Sequence, residues 1–262
     1  MSTPTVPHPR HVLVTGAAGG IGLAVAEAFA ALGDVVTGVD ARGPELTVAM
    51  QGVTGARALV VDLADPGCAE VVGRAVELTG PVDVLVNAAG IYPALPLAEM
   101  TASAWDRVQH VNVRAPVLLT VAVAAADRPA SVINVSSGAA IRARPGAAHY
   151  CTSKAALEMA TKACAVEFAG RGVRVNAVAP GFVEVDSPVN PVTPSYAAAV
   201  SVNPLGRAGR PAEIAAAAVW LAGTEAGFIT GAVLRVDGGS AAGTTALPLH
   251  HPSRTTLQEA PS

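Results

Sequence analysis

Short apolar runs alternate with longer helical segments along most of the chain. His11–Thr15 (HVLVT), Asp34–Val39 (DVVTGV), Arg57–Val61 (RALVV), Val82–Val86 (VDVLV), Ser131–Val135 (SVINV), Val173–Val178 (VRVNAV) and Ala232–Val236 (AVLRV) are short and mostly rich in valine and isoleucine. That pattern predicts seven strands. Ile21–Leu32, Cys68–Leu78, about Ala102–Ala126, His149–Ala169 and Ile214–Leu221 predict helices, with glycine closing several of them at Gly33, Gly80 and Gly170 or Gly172. Strands that do not alternate polar with apolar are buried on both faces, which means a parallel sheet covered by helices. The predicted class is therefore α/β, a doubly wound three-layer sandwich on a seven-stranded parallel sheet. Right-handed crossovers bring the C-terminal ends of its strands to one rim, where such sheets bind ligands.

Residues 11–240 read as a single domain, flanked by tails at 1–10 and 241–262, the last ten or so residues reading as disordered. Phe182–Asn203 holds Pro188, Pro191 and Pro194 and reads as a mobile lid-like loop. Half of the residues are hydrophobic but only 3% are aromatic, so the core is expected to be built of Ala, Val, Leu and Ile. A net charge of −3 without a basic run gives no nucleic-acid surface. The longest apolar stretch, Val117 to Ala126, is broken by Thr120 and is too short to cross a bilayer. Met1 to Arg10 has three prolines and no apolar signal-peptide core. Cys68, Cys151 and Cys164 form no metal-like spacing and read as free thiols, so a cytoplasmic protein is expected. His250-His251 lacks a third ligand, and no metal site is predicted.

Thr15-Gly16-Ala17-Ala18-Gly19-Gly20-Ile21-Gly22 leaves the first strand and opens the first helix. Glycines there let the backbone approach a pyrophosphate, and the helix N-terminus offers N–H groups and the positive end of its dipole. Asp40 ends the second strand, where an acid accepts hydrogen bonds from both adenosine ribose hydroxyls and repels a 2′-phosphate. Gly19 supplies no basic side chain for such a phosphate. Both points favour NAD, although Arg42 lies close to Asp40 in sequence. Tyr150 and Lys154, at i and i+4, share one helix face. A tyrosine with a pKa near ~10 is a poor base at neutral pH, and a nearby ammonium is expected to lower it by about 1–3.

These motifs, with Asn87–Gly90 (NAAG), Asn112, Ser136-Ser137 and Pro180-Gly181, resemble in order and spacing those of the short-chain dehydrogenase/reductase family over roughly residues 11 to 240. The resemblance implies a Rossmann-like domain, commonly assembled into a homodimer or homotetramer. It implies a catalytic set of Asn112, Ser137, Tyr150 and Lys154: Tyr150 as acid and base, Ser137 holding the substrate oxygen, Lys154 on the nicotinamide ribose, and Asn112 in a helix distortion with a water link to Lys154. Ser137 lies thirteen residues before Tyr150, at the family's catalytic distance, and Ser136 is expected to be a backbone partner. For the cofactor, NAD, the resemblance implies Gly16, Gly20, Ile21 and Gly22 at the phosphates and Asp40 at the adenosine ribose. Asp62 and Leu63 belong at the adenine, and Asn87, Ala88 and Gly90 at the adenosine and ribose. Tyr150 and Lys154 are expected at the nicotinamide ribose, and Pro180, Gly181 and Val183 along the nicotinamide. The threonine common four residues after that glycine is replaced by Val185, with Ser187 as a substitute.

His149 and Cys151 read as a helix-opening residue and a packing residue, with pocket lining as the alternative for His149. Arg142 and Arg144 read as solvated loop arginines, contact with an acidic substrate being the other possibility. Ala155, Ala156, Met159, Ala163 and Val166 form a small apolar helix stripe suited to self-association. Ile91, Tyr92 and Leu95 after the fourth strand, with the apolar lid, point to an apolar or cyclic small-molecule alcohol or ketone. The functional expectation is an NAD-dependent oxidoreductase acting on a secondary alcohol. The alternatives are an acyl-carrier-protein 3-oxoacyl ketoreductase and a non-catalytic NAD-binding sensor.

Overall fold

The seven apolar runs all become strands: β1 His11–Thr15, β2 Val35–Asp40, β3 Arg57–Val60, β4 Val84–Asn87, β5 Ala130–Val135, β6 Val173–Pro180 and β7 Val233–Val236. They form one parallel sheet in the order β3-β2-β1-β4-β5-β6-β7. The computed structural model describes residues 9–185, 193, 195, 197 and 202–244. The tails at 1–8 and 245–262, and most of the proline-rich loop with Ser187, lie outside those residues.

The helices are α1 Gly20–Ala31, α2 Gly43–Gln51, α3 Glu70–Thr79, α4 Ala102–Gln109, α5 Ala115–Ala124, α6 Ala148–Phe168 and α7 Pro211–Ala222. The helix α2 was not expected. It opens on Gly43-Pro44, which reads as a turn, and buries only Leu46 and Met50. The long helix expected over Ala102–Ala126 is instead two helices joined by a π-turn, His110–Arg114, centred on Asn112.

The core has two layers, one on each face of the sheet. Val12 and Val14 of β1 pack with Phe29, Met50, Ile214 and Leu221 on one side. Leu13 packs with Val71, Val72, Leu119 and Ala165 on the other. Each strand therefore feeds both layers with successive side chains. Some of the polar residues inside are linked side chain to side chain. Asn87 Nδ2 donates to Asn134 Oδ1 at 2.8 Å, and Asn134 Nδ2 donates to Thr161 Oγ1 at 2.9 Å, linking β4, β5 and α6.

The helix α6 sets the position of the chemistry. Its buried residues, Tyr150, Ser153, Lys154, Leu157, Thr161 and Ala165, recur at three- and four-residue steps, so one face lies on the sheet. Met159 and Val166 stay exposed on its outer side. A single 3-10 turn and Gly172, at φ +73°, end it before β6. Strand order places β1 between β2 and β4, and the chain leaves β1 in one direction and β4 in the other. That switch point opens a crevice at the carboxyl rim.

Candidate active site

At the end of β1 the chain turns through Gly16, at φ +71°. A Cβ on Gly22 would lie 2.2 Å from the Gly16 carbonyl oxygen, so the helix packs on the turn only without a side chain there. A Cβ on Gly19 would meet nothing within 4 Å. The first turn of α1 receives no side-chain cap, so its N–H groups face an open cradle of a shape that fits a pyrophosphate. Gly20 and Ile21 form the start of that helix. The segment leaving β6 crosses close by, with a Cβ on Gly20 falling 3.5 Å from Val185.

Asp40 ends β2 beside this cradle. Its carboxylate accepts from the Ala18 N–H at 3.2 Å and from the Arg42 N–H at 3.0 Å. The Arg42 guanidinium adds two further bonds, at 3.2 and 3.3 Å. Asp40 is thus fixed on the rim with its charge shared with Arg42. Asp62 lies beyond β3, exposed, 3.6 Å from Arg107, while the Leu63 side chain is buried in the core. Asn87 also turns its side chain inward, into the ladder with Asn134, and its Oδ1 has no partner. What these two residues bring to the rim is therefore backbone. Ala88 and Ala89 lie against the Gly16 turn, and the Ala89 N–H donates to Thr15 Oγ1 at 3.1 Å.

Asn112 is fully buried in the π-turn. Its Oδ1 accepts from the Ile91 N–H and its Nδ2 donates to the Ile91 carbonyl, both at 2.9 Å. The same Nδ2 reaches Ser153 Oγ at 3.0 Å, and Ser153 Oγ donates to the Tyr150 carbonyl at 2.7 Å. Asn112 therefore ties the loop after β4 to the helix that carries Tyr150. Ser153 escaped notice in the sequence because a serine between Tyr150 and Lys154 has no signature of its own.

Ser137, Tyr150 and Lys154 meet at the end of β5. The Ser137 hydroxyl lies beside the Tyr150 phenol, close enough to favour its ionised form, and accepts the Ala139 N–H at 3.1 Å. Lys154 Nζ donates to the Val135 carbonyl at 2.7 Å and lies 5.9 Å from the centre of the Tyr150 ring. An ammonium has three protons to donate. Gly90 keeps the space in front of Lys154 clear: a Cβ there would be 3.5 Å from Nζ. Burial lowers the Lys154 pKa to about 8. Burial also raises the Tyr150 pKa, opposed by Ser137 and by the positive charge of Arg144. The expectation of a phenol lowered by Lys154 is thus replaced by one held high by desolvation.

Ser136 keeps the expected backbone role, its N–H donating to the Val178 carbonyl at 2.7 Å, and its hydroxyl in addition donates to Glu158 Oε1 at 2.9 Å. His149 is fully buried just after the start of α6, and neither ring nitrogen reaches a hydrogen-bond partner. Burial lowers its pKa, with the nearby Pro93 backbone opposing. Arg144 is half-buried with its guanidinium 5.5 Å from the centre of the Tyr150 ring, so it is not the solvated arginine of the first reading. Pro180 ends β6, and Gly181 follows in close contact with Asp237, where a Cβ would fall 2.8 Å from the Asp237 Cα. Val183 bridges to Gly209. Among the described residues no group of three or more His, Cys, Asp and Glu side chains is arranged to hold a metal. No described helix is long and apolar enough to cross a membrane.

A family model described as enoyl-(acyl carrier protein) reductase matches residues 16–241. The chain is 39% identical over 237 residues to the 3-oxoacyl-(acyl-carrier-protein) reductase FabG of Thermotoga maritima, covering 87% of this chain and 96% of that protein. It is 37% identical over 235 residues to galactitol 2-dehydrogenase (L-tagatose-forming) of Cereibacter sphaeroides, covering 86% and 92%. Among solved structures, a blue fluorescent protein from a metagenomic library in complex with NADPH superposes with a TM-score of 0.82 at 35% identity, covering 88% of this chain and 98% of that one.

Proposed function

Because the chain belongs to the short-chain dehydrogenase/reductase family, we propose that it is an NAD(H)-dependent oxidoreductase interconverting a secondary alcohol and its ketone, with Tyr150 as acid and base. The observation that carries this reading is the meeting of Ser137, Tyr150 and Lys154 on the rim that also bears the uncapped glycine turn.

The cofactor's phosphates belong at Gly16, Gly20, Ile21 and Gly22, and its adenosine at Asp40, Asp62, Leu63, Asn87, Ala88 and Gly90. The nicotinamide half belongs at Tyr150, Lys154, Pro180, Gly181 and Val183. When bound, the nicotinamide supplies or takes up the hydride. Ser137 donates to the substrate oxygen and aligns it with the phenol. In reduction Tyr150 gives its proton to that oxygen as the alcohol forms; in oxidation it takes the proton back. The ammonium of Lys154 holds the nicotinamide ribose hydroxyls. Asn112 fixes the loop that closes the substrate side. The raised Tyr150 pKa gives a clear sign. The protonated phenol, needed for reduction, persists through neutral pH and is lost as pH rises. Oxidation, which needs the phenolate, gains over the same rise.

Asp40 and the uncharged Gly19 support NAD over NADP, since a 2′-phosphate would meet a carboxylate already bonded to Arg42. The exposed apolar stripe on α6 supports a homodimer or homotetramer, and three free cysteines suit a cytoplasmic protein. The likeness to the Thermotoga reductase favours a second reading, a 3-oxoacyl ketoreductase. Asp40 argues against it, because enzymes of that kind usually use NADPH.

Turnover of a ketone panel that includes a 3-oxoacyl thioester, run with NADH and with NADPH, separates the readings. We expect kcat/KM at least about tenfold higher with NADH, a preference of ~1.4 kcal/mol. A clear preference for NADPH, or best turnover of the thioester, overturns the NAD alcohol dehydrogenase. Tight NADH binding without turnover of any substrate indicates the non-catalytic sensor. Tyr150→Phe should lower kcat by about 10²–10⁴-fold with NADH affinity nearly unchanged; substantial residual activity means another group carries the proton.

A further inference from the structure

The end of β5 is gripped by three successive turns of α6. Lys154 Nζ donates to the Val135 carbonyl at 2.7 Å, the Ser136 hydroxyl donates to Glu158 Oε1 at 2.9 Å, and Asn134 Nδ2 donates to Thr161 Oγ1 at 2.9 Å. Lys154, Glu158 and Thr161 stand at i, i+4 and i+7, on one helix face. The Glu158 side chain is only 14% exposed, and its second oxygen lies 3.8 Å from Arg235 Nη2 on β7. The Ser136 N–H donates to the Val178 carbonyl. Ser136 is thus held twice, by its backbone to β6 and by its hydroxyl to α6. Directly after it the chain leaves the sheet: Ser137 is extended, and its hydroxyl caps the 3-10 turn Gly138–Ala140.

We propose that Glu158 is a positioning residue for the reaction: by fixing Ser136 it aims the neighbouring Ser137 hydroxyl at the Tyr150 phenol and the substrate oxygen. The proposal rests on the reading of Tyr150 as the proton donor and deepens it. A hydrogen bond to a carboxylate is roughly twice as strong as one between neutral groups, and Arg235 steadies that carboxylate from β7. The Val178 bond sets where Ser136 sits. The Glu158 bond sets which way its side chain points, and together they fix the direction in which the chain turns out to Ser137. A displacement of about 1 Å at a reacting group costs up to ~10²-fold in rate, so this direction matters to turnover. Ser137 in turn favours the ionised phenol. A misaimed Ser137 therefore weakens both the grip on the substrate oxygen and the support of the phenolate. The other influences on that phenol, Arg144, Tyr92 and Cys151, do not pass through Ser136.

The test is a double-mutant cycle between Glu158→Leu and Ser137→Ala, read in kcat/KM on a ketone that the wild type reduces with NADH. Glu158→Leu should lower kcat/KM by about ten- to a hundredfold, with NADH affinity nearly unchanged. In the Ser137→Ala background it should lower it no further. Ser136→Ala should reproduce the loss. Glu158→Gln, which keeps an oxygen for the Ser136 hydroxyl, should recover most of it. A role confined to the packing of α6 makes the losses of Glu158→Leu and Ser137→Ala multiply, and that outcome overturns the proposal. So does full activity of Glu158→Leu or of Ser136→Ala. NADH binding and urea unfolding confirm that each variant is folded; if Glu158→Leu does not fold, Ser136→Ala, which removes one hydroxyl, takes its place in the cycle. NMR of isotope-labelled tyrosine, with the Tyr150 signal assigned by its loss in Tyr150→Phe, reads the same cycle without turnover. Glu158→Leu should move that signal in the direction that Ser137→Ala does, and should not move it further once Ser137 is gone. If no ketone oxidises NADH while the NMR cycle stands, the oxidoreductase reading fails and the positioning does not. If ketone is turned over and the losses multiply, the positioning fails and the oxidoreductase reading does not.

Discussion

Lys154 holds a charge where the fold would be more stable without one. The residue is 4% exposed, its ammonium donates to the Val135 carbonyl, and burial takes its pKa from 10.5 to about 8. Below about pH 8 the folded chain bears the full cost of the buried charge, about 3 kcal/mol. Between about pH 8 and 10.5 the folded chain sheds this proton while the unfolded chain keeps it, so stability from this group rises with pH. Lys154→Met should therefore unfold at higher urea at pH 7, with a gain of about 1–3 kcal/mol that shrinks towards pH 10.5, while turnover is lost. A less stable Met variant at pH 7 would mean that the Val135 bond outweighs the cost of burial. The four-residue step from Tyr150 was legible because it repeats along the buried face of α6. The direction of the Tyr150 shift was not, because burial depends on the packing of Tyr92, Ala139 and Ala147, which come from distant segments. Arg144 was misread for the same reason: a loop arginine becomes half-buried only once the Leu95–Gly146 bond folds its turn inward.

Strands were the most legible elements, since β1, β2, β4, β5 and β6 are short apolar runs largely buried on both faces, while the edge strands β3 and β7 are more open. The helix α2 was hidden, as two buried anchors four residues apart make too weak a stripe. The distortion at Asn112 was readable from a polar amide in the middle of an apolar helix. Its form was not: a π-turn whose side chain grips Ile91 needs the β4 loop in place. The glycine turn shows how tightly one element can depend on another. Its close approach to α1 leaves no room for a methyl group at Gly22. Gly22→Ala should force the helix away from the turn, costing about 1–3 kcal/mol in urea unfolding and weakening NADH binding in a fluorescence titration. Unchanged affinity would mean that the turn does not hold the phosphates.

At the scale of the whole molecule, the strand order β3-β2-β1-β4-β5-β6-β7 does the assembling. Motifs separated by more than a hundred residues reach one rim because every strand runs the same way. The outer side of α6 is left with Ala155, Met159, Ala163 and Val166 exposed, Met159 at 63% and Val166 at 83%. Apolar groups aligned on one helix face favour a second copy of the chain. Light scattering should give a dimer or tetramer mass at working concentrations, and Val166→Lys should lower it; a monomer throughout would refute the assembly. The segment 91–95 carries a different consequence. Asn112 holds it by the backbone of Ile91, and Gly146 holds it by the backbone of Leu95. Neither anchor uses the segment's own side chains. The exposed Ala94 can therefore be exchanged without displacing the segment, whereas Tyr92 packs against the Tyr150 ring and is bound up with the catalytic alignment, so selectivity can evolve, or be engineered, first at Ala94.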